Sequence, residues 1–510
     1  MIQIDEKINM VSAFKNKNIL VVGLARSGTG AANLLSKLEA RVSITDRKPR
    51  SSLEHQINKL LPDVNVIDDG NPDEMIGPSD MIVISPGVPL DIPLLVKARM
   101  RGIPVIGELE LAYLVIAGEA LRVRGEEHET EPAAPDVIGI TGTNGKSTTT
   151  TLIDLMLKDS GYSTLLGGNI GNALTEELLN AMSGQRSTPG KMPLTERCQI
   201  NADYIVAEIS SFQLESIREF RPRIGAVLNI TPDHLDRYDS MKDYINAKAR
   251  IFENQTSEDF LILNADDPLV RKMIDEKLII RNKKMPKLLY FSREKEVDGI
   301  YCRDGMIYCN LRNKGVLPYT PARCELIGVD DIRIKGVHNL ENAMAASLAA
   351  LLSGCSNEAV KHTLRNFSGL EHRLEFVGEV MGVRFINDSK GTNVGAVAKS
   401  LEDFDNILLI MGGLDKGNDY SVLQDLIKRK VKLLILIGEA KEIIAKDVGA
   451  MTETHKVSNL REAVTLSLSK ASPGDVVMLS PGCASFDMFL DFEDRGRKFK
   501  QAVRDIAHEY

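Results

Sequence analysis

Asp136-Val-Ile-Gly-Ile-Thr-Gly-Thr-Asn-Gly-Lys-Ser-Thr148 decides the fold. An apolar, β-branched run ends in a loop carrying Gly142, Thr143, Asn144 and Gly145, and Lys146, Ser147 and Thr148 then open a threonine-rich helix start. That order makes a phosphate loop. Successive backbone N–H groups at a helix N-terminus face an anion, the Lys146 ammonium adds a point charge for the β- and γ-phosphates, and the Ser147 hydroxyl is a ligand for Mg²⁺. The usual pattern wants a glycine five residues before the second loop glycine, where this chain has Ile140. The tighter Thr-Gly-Thr-Asn-Gly-Lys-Ser form is more informative than the generic one. A mere glycine turn with a solvated lysine would not require strand, loop and helix to fall in this sequence.

At 510 residues the chain exceeds what one core supports, so about three domains are expected. A net charge of −8 disfavours a nucleic-acid or anionic-membrane partner. Any phosphorylated ligand must therefore be met by locally placed Lys, Arg and helix termini. The six cysteines show neither a C-x-x-C pair nor zinc spacing, which suits reduced thiols in a cytoplasm. Residues 1–17 have scattered charges and no apolar core with a cleavage site, and no apolar run approaches the ~20 residues of a membrane span. The expectation is a soluble, cytoplasmic protein.

Outward from the loop, short apolar runs alternate with helix-like segments, the pattern of βαβ units and parallel sheets. On the N-terminal side these runs are 19–23, 41–46, 64–68, 81–85 and 103–106. The first leads into Gly23-Leu-Ala-Arg-Ser-Gly28-Thr-Gly30, a relative of the dinucleotide loop, and Asp46 closes the second where a ribose-binding acid would sit. Such a glycine fingerprint leaves NAD or FAD, a nucleotide diphosphate, or a structural turn open. Ser85-Pro86-Gly87 ends the fourth run on the same carboxyl edge, where ligands of open α/β sheets bind. Residues 119–135, charged and proline-bearing, read as a linker or surface insertion, and 183–199 as another surface loop.

The middle third carries apolar runs at 136–140, 163–166, 203–209, 224–230 and 260–264, a small β subregion at 300–333 and an alanine-rich helix ending near Leu352. The last third restarts the alternation at 383–386, 407–411, 433–437 and 476–479. The fold class is α/β in three domains: an N-terminal Rossmann-like unit, a central phosphate-loop ATPase-like parallel sheet and a C-terminal Rossmann-like unit.

The phosphate loop alone would suit a GTPase, a motor or a kinase, so later residues must decide. Glu208 ends a strand on the loop's edge and is a plausible Mg²⁺ ligand. Asn229-Ile-Thr-Pro-Asp-His234-Leu-Asp236 follows another strand; an isolated His234 would read as a core histidine, but its place beside Asp233 at that edge favours a site. By spacing alone, Lys248 reads as a lysine on a solvated helix face.

Taken together, Gly-Thr-Asn-Gly-Lys-Ser, Gly168-Asn-Ile-Gly171, Glu208-x-Ser-Ser-Phe-Gln-Leu, Asn-Ile-Thr-Pro-Asp-His-Leu-Asp, Ala-Lys248-x-x-Ile-Phe, Gly336-x-His-Asn-x-x-Asn342, Glu371-His-Arg373 and Asn387-Asp-Ser-Lys-Gly-Thr-Asn393 resemble, in order and over nearly the whole chain, the Mur ligases. These are ATP-dependent amide-forming enzymes of peptidoglycan synthesis. The N-terminal loop with Asp46, Ser85-Pro-Gly87 and Leu479-Ser-Pro-Gly-Cys-Ala-Ser485-Phe-Asp, with Phe492 downstream, look most like the branch that adds D-glutamate to UDP-N-acetylmuramoyl-L-alanine.

The resemblance implies a UDP-sugar domain at 1–107, an ATP domain at 108–369 and an amino-acid domain at 370–510. It implies that Lys146, His234, Lys248 and Arg373 are catalytic. ATP would be met by Gly142, Thr143, Asn144, Gly145, Lys146, Ser147, Thr148, Asn169, Asn342, Arg373 and Asp388. The UDP-sugar would be met by Arg26, Ser27, Gly28, Asp46, Arg47 and Gly87, with Asn169 and His234. Family members often carry Asp-Thr-Arg where this chain has Asp46-Arg47-Lys48. Thr392, Lys416, Ser485, Phe486 and Phe492 would take the amino acid, Lys416 answering an anionic side chain. Two Mg²⁺ are implied, on Ser147, Glu208, His234 and a carbamylated Lys248. The chain would be a monomer working on small molecules, its third domain closing onto the second. A folylpolyglutamate synthase, the nearest rival, lacks a UDP-binding N-terminal domain. A nucleotide-binding regulator without turnover would have no use for the full set Lys146, Glu208, His234, Lys248 and Arg373.

Overall fold

Most of the apolar runs become strands of three sheets in a computed structural model that describes residues 13–67, 72–125, 134–183, 200–233, 237–280, 285–311, 323–415 and 417–508. The chain parses into two compact units, Met1–Phe367 and Ser368–Tyr510. The first unit holds two of the sheets.

In the first sheet β1 (Asn18–Val22), β2 (Arg41–Thr45), β3 (Asn65–Ile67), β4 (Met81–Ile84) and β5 (Val105–Gly107) are parallel in the order β3-β2-β1-β4-β5. The order reverses between β1 and β4, which opens a crevice at their carboxyl ends. Helix α1 (Arg26–Lys37) leaves that edge, and α2 (Glu108–Gly125) follows β5. The linker expected from residue 119 is thus helical as far as Gly125, because Glu, Ala, Leu and Arg continue the helix where charge alone suggested a loop. Two buried carboxylates fasten α2. Glu110 accepts the backbone N–H groups of Arg218, Glu219 and Phe220 at 2.9, 2.7 and 3.1 Å, and Glu108 accepts the N–H and hydroxyl of Thr175, each at 2.8 Å. Burial pushes both carboxyls above the ordinary range, and these hydrogen bonds partly offset it.

The second sheet contains β6 (Asp136–Thr141), β7 (Thr164–Gly168), β8 (Tyr204–Glu208), β9 (Ile224–Val227), β10 (Phe260–Asn264), β11 (Lys287–Ser292), β12 (Gly299–Arg303), β13 (Met306–Asn310) and β14 (Cys324–Gly328). Their order is β14-β13-β12-β11-β10-β9-β6-β8-β7, parallel except for the antiparallel run β12-β13-β14. That run is the β subregion expected at 300–333. Strand β6 lies between β9 and β8, so the phosphate loop leaves a topological switch point. Helices α3 (Lys146–Asp159), α4 (Leu174–Ser183), α5 (Met241–Ala249) and α6 (Val337–Leu352) flank the sheet. The buried Ala343, Ala345, Ala346, Ala349 and Ala350 of α6 let it lie close against α3 and the sheet.

In the second unit β15 (Glu375–Val380), β16 (Val383–Asn387), β17 (Ile407–Gly412), β18 (Val431–Ile437), β19 (Glu453–Lys456) and β20 (Val476–Leu479) run β15-β16-β20-β17-β18-β19, with only β15 antiparallel. Side chains alternate between two cores: Ile407, Leu409 and Met411 of β17 face one, Leu408 and Ile410 the other. Both faces are covered, which is why these strands read as unbroken apolar runs. Helix α7 (Phe492–Ala507) contributes Phe499, Ala502, Val503 and Ile506 to the second core. Among the described residues no helix is long and apolar enough to cross a membrane.

Candidate active site

The phosphate loop needs its glycines for different reasons. Gly142 (φ +148°) and Gly145 (φ +83°) occupy backbone conformations that disfavour other residues, and a Cβ on Gly145 would stand 2.1 Å from Asn342 Oδ1. Asn229, at the exit of β9, pins the loop. Its carbonyl accepts Thr143 N–H at 3.0 Å, its Oδ1 accepts Asn144 N–H at 2.8 Å, and its Nδ2 donates to Asn144 O at 3.1 Å. Thr231 N–H donates to Thr143 Oγ1 at 3.0 Å, and Thr149 Oγ1 donates to Asn342 Oδ1 at 3.4 Å. Ser147 and Thr148 are buried in the first turn of α3.

Two lysines converge on one carbonyl. Lys146 Nζ donates to Gly142 O at 3.0 Å and Thr143 O at 2.8 Å; Lys248 Nζ donates to Gly142 O at 2.9 Å. Lys248 is only 2% exposed, which corrects its reading as a solvated residue. The last turn of α5 faces the loop rather than water. Burial first, and then the charge of Lys146, hold its amine well below the usual lysine range. Its Nζ lies 4.5 Å from the centre of the Tyr244 ring, one turn earlier on α5, and Tyr244 OH shares a hydrogen bond with Thr143 Oγ1 at 3.1 Å.

Glu208, 2% exposed, accepts Asn169 Nδ2 at 2.7 Å on Oε1, while its buried Oε2 has no hydrogen-bond partner among the described residues. The chain at Gly168 (φ +104°) hugs this residue: a Cβ there would lie 2.3 Å from Glu208 O. A buried carboxylate oxygen without a donor fits a hard cation such as Mg²⁺, which takes oxygen ligands and keeps waters and phosphate oxygens for the rest. Among the described residues no group of three or more His, Cys, Asp or Glu side chains is placed to hold a metal ion. His234 lies outside the described residues.

In the N-terminal crevice Ser85 Oγ donates to Gly23 O at 2.8 Å, and Gly28 sits so close that a Cβ would collide with Gly23 O. Asp46 ties the loop together, accepting Leu24 N–H at 2.6 Å and Lys48 N–H at 2.8 Å. Ser27 lines the same edge; Arg47 and Gly87 are exposed there. Arg26 donates to Gly171 O, so the edge of the first sheet meets the loop that carries Asn169.

In the second unit Asp388, 4% exposed, follows β16 and accepts the hydroxyls of Ser400 and Ser480 at 2.7 and 2.8 Å. Burial pushes its carboxyl up to about 6. Arg373 is flanked by His372 (φ +62°) and Leu374 (φ +45°), strained positions of the sort that gather at functional turns. Ser485 is buried, Thr392 and Phe492 are half-buried and Phe486 is 66% exposed. Lys416 lies outside the described residues. Residue types alone did not single out Asn229 and Tyr244. The clues were their spacing, an Asn ending a strand and a Tyr four residues before Lys248.

Fold and loop define a phosphate-loop α/β protein with additional parallel sheets on either side in sequence. Family models match the chain as the Mur ligase MurD-like N-terminal domain over residues 17–107, the Mur ligase middle domain over 140–350 and the Mur ligase glutamate ligase domain over 372–483. The chain belongs to the Mur ligase family. It is 44% identical to the UDP-N-acetylmuramoylalanine–D-glutamate ligase of Geotalea daltonii, covering 97% of this chain and 98% of that one. The ligase of the same name from Trichlorobacter lovleyi is 42% identical over 96% and 99%. Solved structures share the fold: UDP-N-acetylmuramate-alanine ligase MurC from Thermotoga maritima (17% identity, TM-score 0.52, 96% of this chain and 100% of that chain) and MurF from Acinetobacter baumannii (14%, 0.54, 98% of each).

Proposed function

We propose that this chain joins D-glutamate to UDP-N-acetylmuramoyl-L-alanine at the expense of ATP, through an acyl phosphate, as a step of peptidoglycan precursor synthesis. The observation that carries the chemistry is the pair of lysines on Gly142 O. A nucleotide switch needs Lys146, but it has no use for a second, buried amine on the same loop.

A carboxylate is a poor electrophile, so its oxygen first attacks the γ-phosphorus and ADP departs. Loop amides and Lys146 neutralise the charge that gathers on the transferring group and hold it in line. The amine of the amino acid then attacks the acyl carbon, a proton leaves the nitrogen, and phosphate departs as the amide forms. Arg373, Asp388, Asn169 and Asn342 would contact ATP. Arg26, Ser27, Gly28, Asp46, Arg47 and Gly87, with Asn169 and His234, would hold the UDP-sugar. Thr392, Lys416, Ser485, Phe486 and Phe492 would hold the amino acid.

Mg²⁺, held at one site by Ser147 and Glu208 and at a second by His234 and modified Lys248, would supply charge neutralisation on the phosphate oxygens. Lys248 contributes by becoming an anion. Its neutral amine attacks CO₂, an N–C bond forms, and one N–H proton passes to water, leaving a carbamate. The burial of Lys248 supports this, since only the unprotonated amine is a nucleophile. The proposal takes the enzyme to be a cytoplasmic monomer acting on diffusible small molecules, without a nucleic-acid partner.

The test is phosphate release from ATP and Mg²⁺ with UDP-N-acetylmuramoyl-L-alanine, comparing D-glutamate with L-glutamate, L-alanine and meso-diaminopimelate. Release with D-glutamate alone is expected. Turnover with another amino acid instead would overturn the assignment of Lys416 and Ser485 while leaving the ligase chemistry standing.

A further inference from the structure

Arg495 is the bulkiest fully buried side chain among the described residues, and none of its hydrogen bonds runs to a carboxylate. From the first turns of α7 its Nε donates to Ser389 Oγ at 3.0 Å and its Nη2 to Ser389 O at 2.8 Å; Nη1 reaches Cys483 O and Ala484 O at 3.1 and 3.3 Å. A Cβ on Gly413 would stand 3.2 Å from Nη1, and Leu414 pairs with Ala484 in an isolated antiparallel bridge. One guanidinium thus gathers the exits of β16, β20 and β17. Ser389 Oγ donates in turn to Phe492 O at 2.8 Å, which ties the first turn of α7 to the same knot.

A cation buried on a hydroxyl and carbonyls, with the carboxylates of Asp487 and Asp388 acting on it only through space, is costly, and an apolar side chain would fill the space without that cost. What only a planar fork of donors can do is hold several carbonyls in fixed relation. Those carbonyls belong to Ser389, three residues before Thr392, and to Ala484, immediately before Ser485. Burial lowers the guanidinium's pKa to about 10, so at neutral pH it remains a positive charge beneath these loops.

We propose that Arg495 is a positioning residue that sets the pocket for the anionic amino acid by fixing the loops of Thr392, Ser485 and Phe492 against one another. This rests on the reading that those loops take the amino acid. The experiment is steady-state kinetics of the full chain with each substrate varied in turn, for wild type, Arg495→Lys, Arg495→Met and Ser389→Ala, with thermal unfolding alongside. Lysine keeps the charge but not the fork, and a misplaced pocket weakens the binding of the substrate that fills it. The expected result is a KM for D-glutamate raised at least about tenfold in Arg495→Lys and further in Arg495→Met, with the KM values for ATP and the UDP-sugar within about twofold of wild type. A folded Arg495→Lys with unchanged KM, or KM values that all rise together, would overturn the proposal. Should the Arg495 variants not fold, Ser389→Ala decides: it cuts the link to Phe492 but leaves the Cys483 and Ala484 carbonyls in place, and an unchanged KM for D-glutamate sinks the idea. If wild type turns over a different amino acid, the substrate reading fails on its own, and the variants are scored on the KM of that amino acid.

Discussion

A primary amine is a nucleophile only when it has lost its proton, and the surroundings of Lys248 favour that loss. The side chain is walled off from water and faces the positive charge of Lys146. Wild-type activity should fall in CO₂-depleted buffer and recover on adding bicarbonate, and ¹³C-bicarbonate should give a carbamate carbon signal that Lys248→Met lacks. The variant should lose about a hundredfold or more in kcat, the range seen when a single positioned electrostatic group is removed. The same signal in Lys248→Met, or wild-type turnover by it, would remove the carbamate from the mechanism. Asp388 shows the opposite case, a carboxyl raised to about 6 by burial from an ordinary 3.8. The folded state then binds the proton more tightly than the unfolded chain. Stability conferred by this group therefore falls as pH rises from about 4 to about 6, and the cost of about 3 kcal/mol is fully present above that range. Asp388→Asn cannot ionise, so its Tm relative to wild type should climb through that window and stay level to pH 8. A difference that stays flat across the whole range would contradict the buried charge.

The elements place these residues by a single rule, that parallel strands deliver their following loops to one edge. Gly142, Glu208 and Asn229 stand at or just beyond the ends of adjacent strands β6, β8 and β9, and α3 begins where the loop ends. The loop's shape depends on Gly145, whose left-handed backbone and lack of side chain admit Asn342. Gly145→Ala combines a left-handed non-glycine residue, costing about 1–2 kcal/mol, with a collision at Asn342. The KM for ATP should rise at least about tenfold while Tm falls by a few degrees; unchanged ATP kinetics would mean that the loop tolerates the shift. This architecture was legible because buried parallel strands are apolar on both faces. Strands β15 and β19 were not, since Glu375-Phe-Val-Gly-Glu-Val and Glu453-Thr-His-Lys are edge strands with polar residues turned to water. β11, Lys287-Leu-Leu-Tyr-Phe-Ser, was overlooked for a different reason, standing just beyond the last run that read as part of the sheet. In the site, Lys146, Ser147 and Glu208 are legible because motif and strand end coincide. The burial of Lys248 is not, because spacing on a helix does not say which face meets another element. Arg495 is silent in sequence for the same reason: only the fold brings residues 389, 483 and 484 to one guanidinium.

At the scale of the whole molecule, the chain divides after Phe367 into two compact units. The second unit encloses two cores of its own, one on each face of a six-stranded sheet, and Arg495, Asp388 and Ser389 complete their hydrogen bonds within it. A segment with its own cores and internally satisfied polar groups has what an independent folding unit needs. Residues 368–510 produced alone should therefore unfold in one cooperative thermal transition, with calorimetric and van't Hoff enthalpies that agree. ATP gives a further discrimination, because a ligand stabilises only the unit that binds it. On the proposed reading the phosphate loop of the first unit takes the nucleotide, so the isolated fragment should gain little from ATP, whereas the transition of the first unit in the full chain should move upward. A fragment that melts without cooperativity would show that the cores of the second unit depend on the rest of the chain. A fragment stabilised by ATP as strongly as the full protein would overturn the proposed assignment of ATP to the phosphate loop.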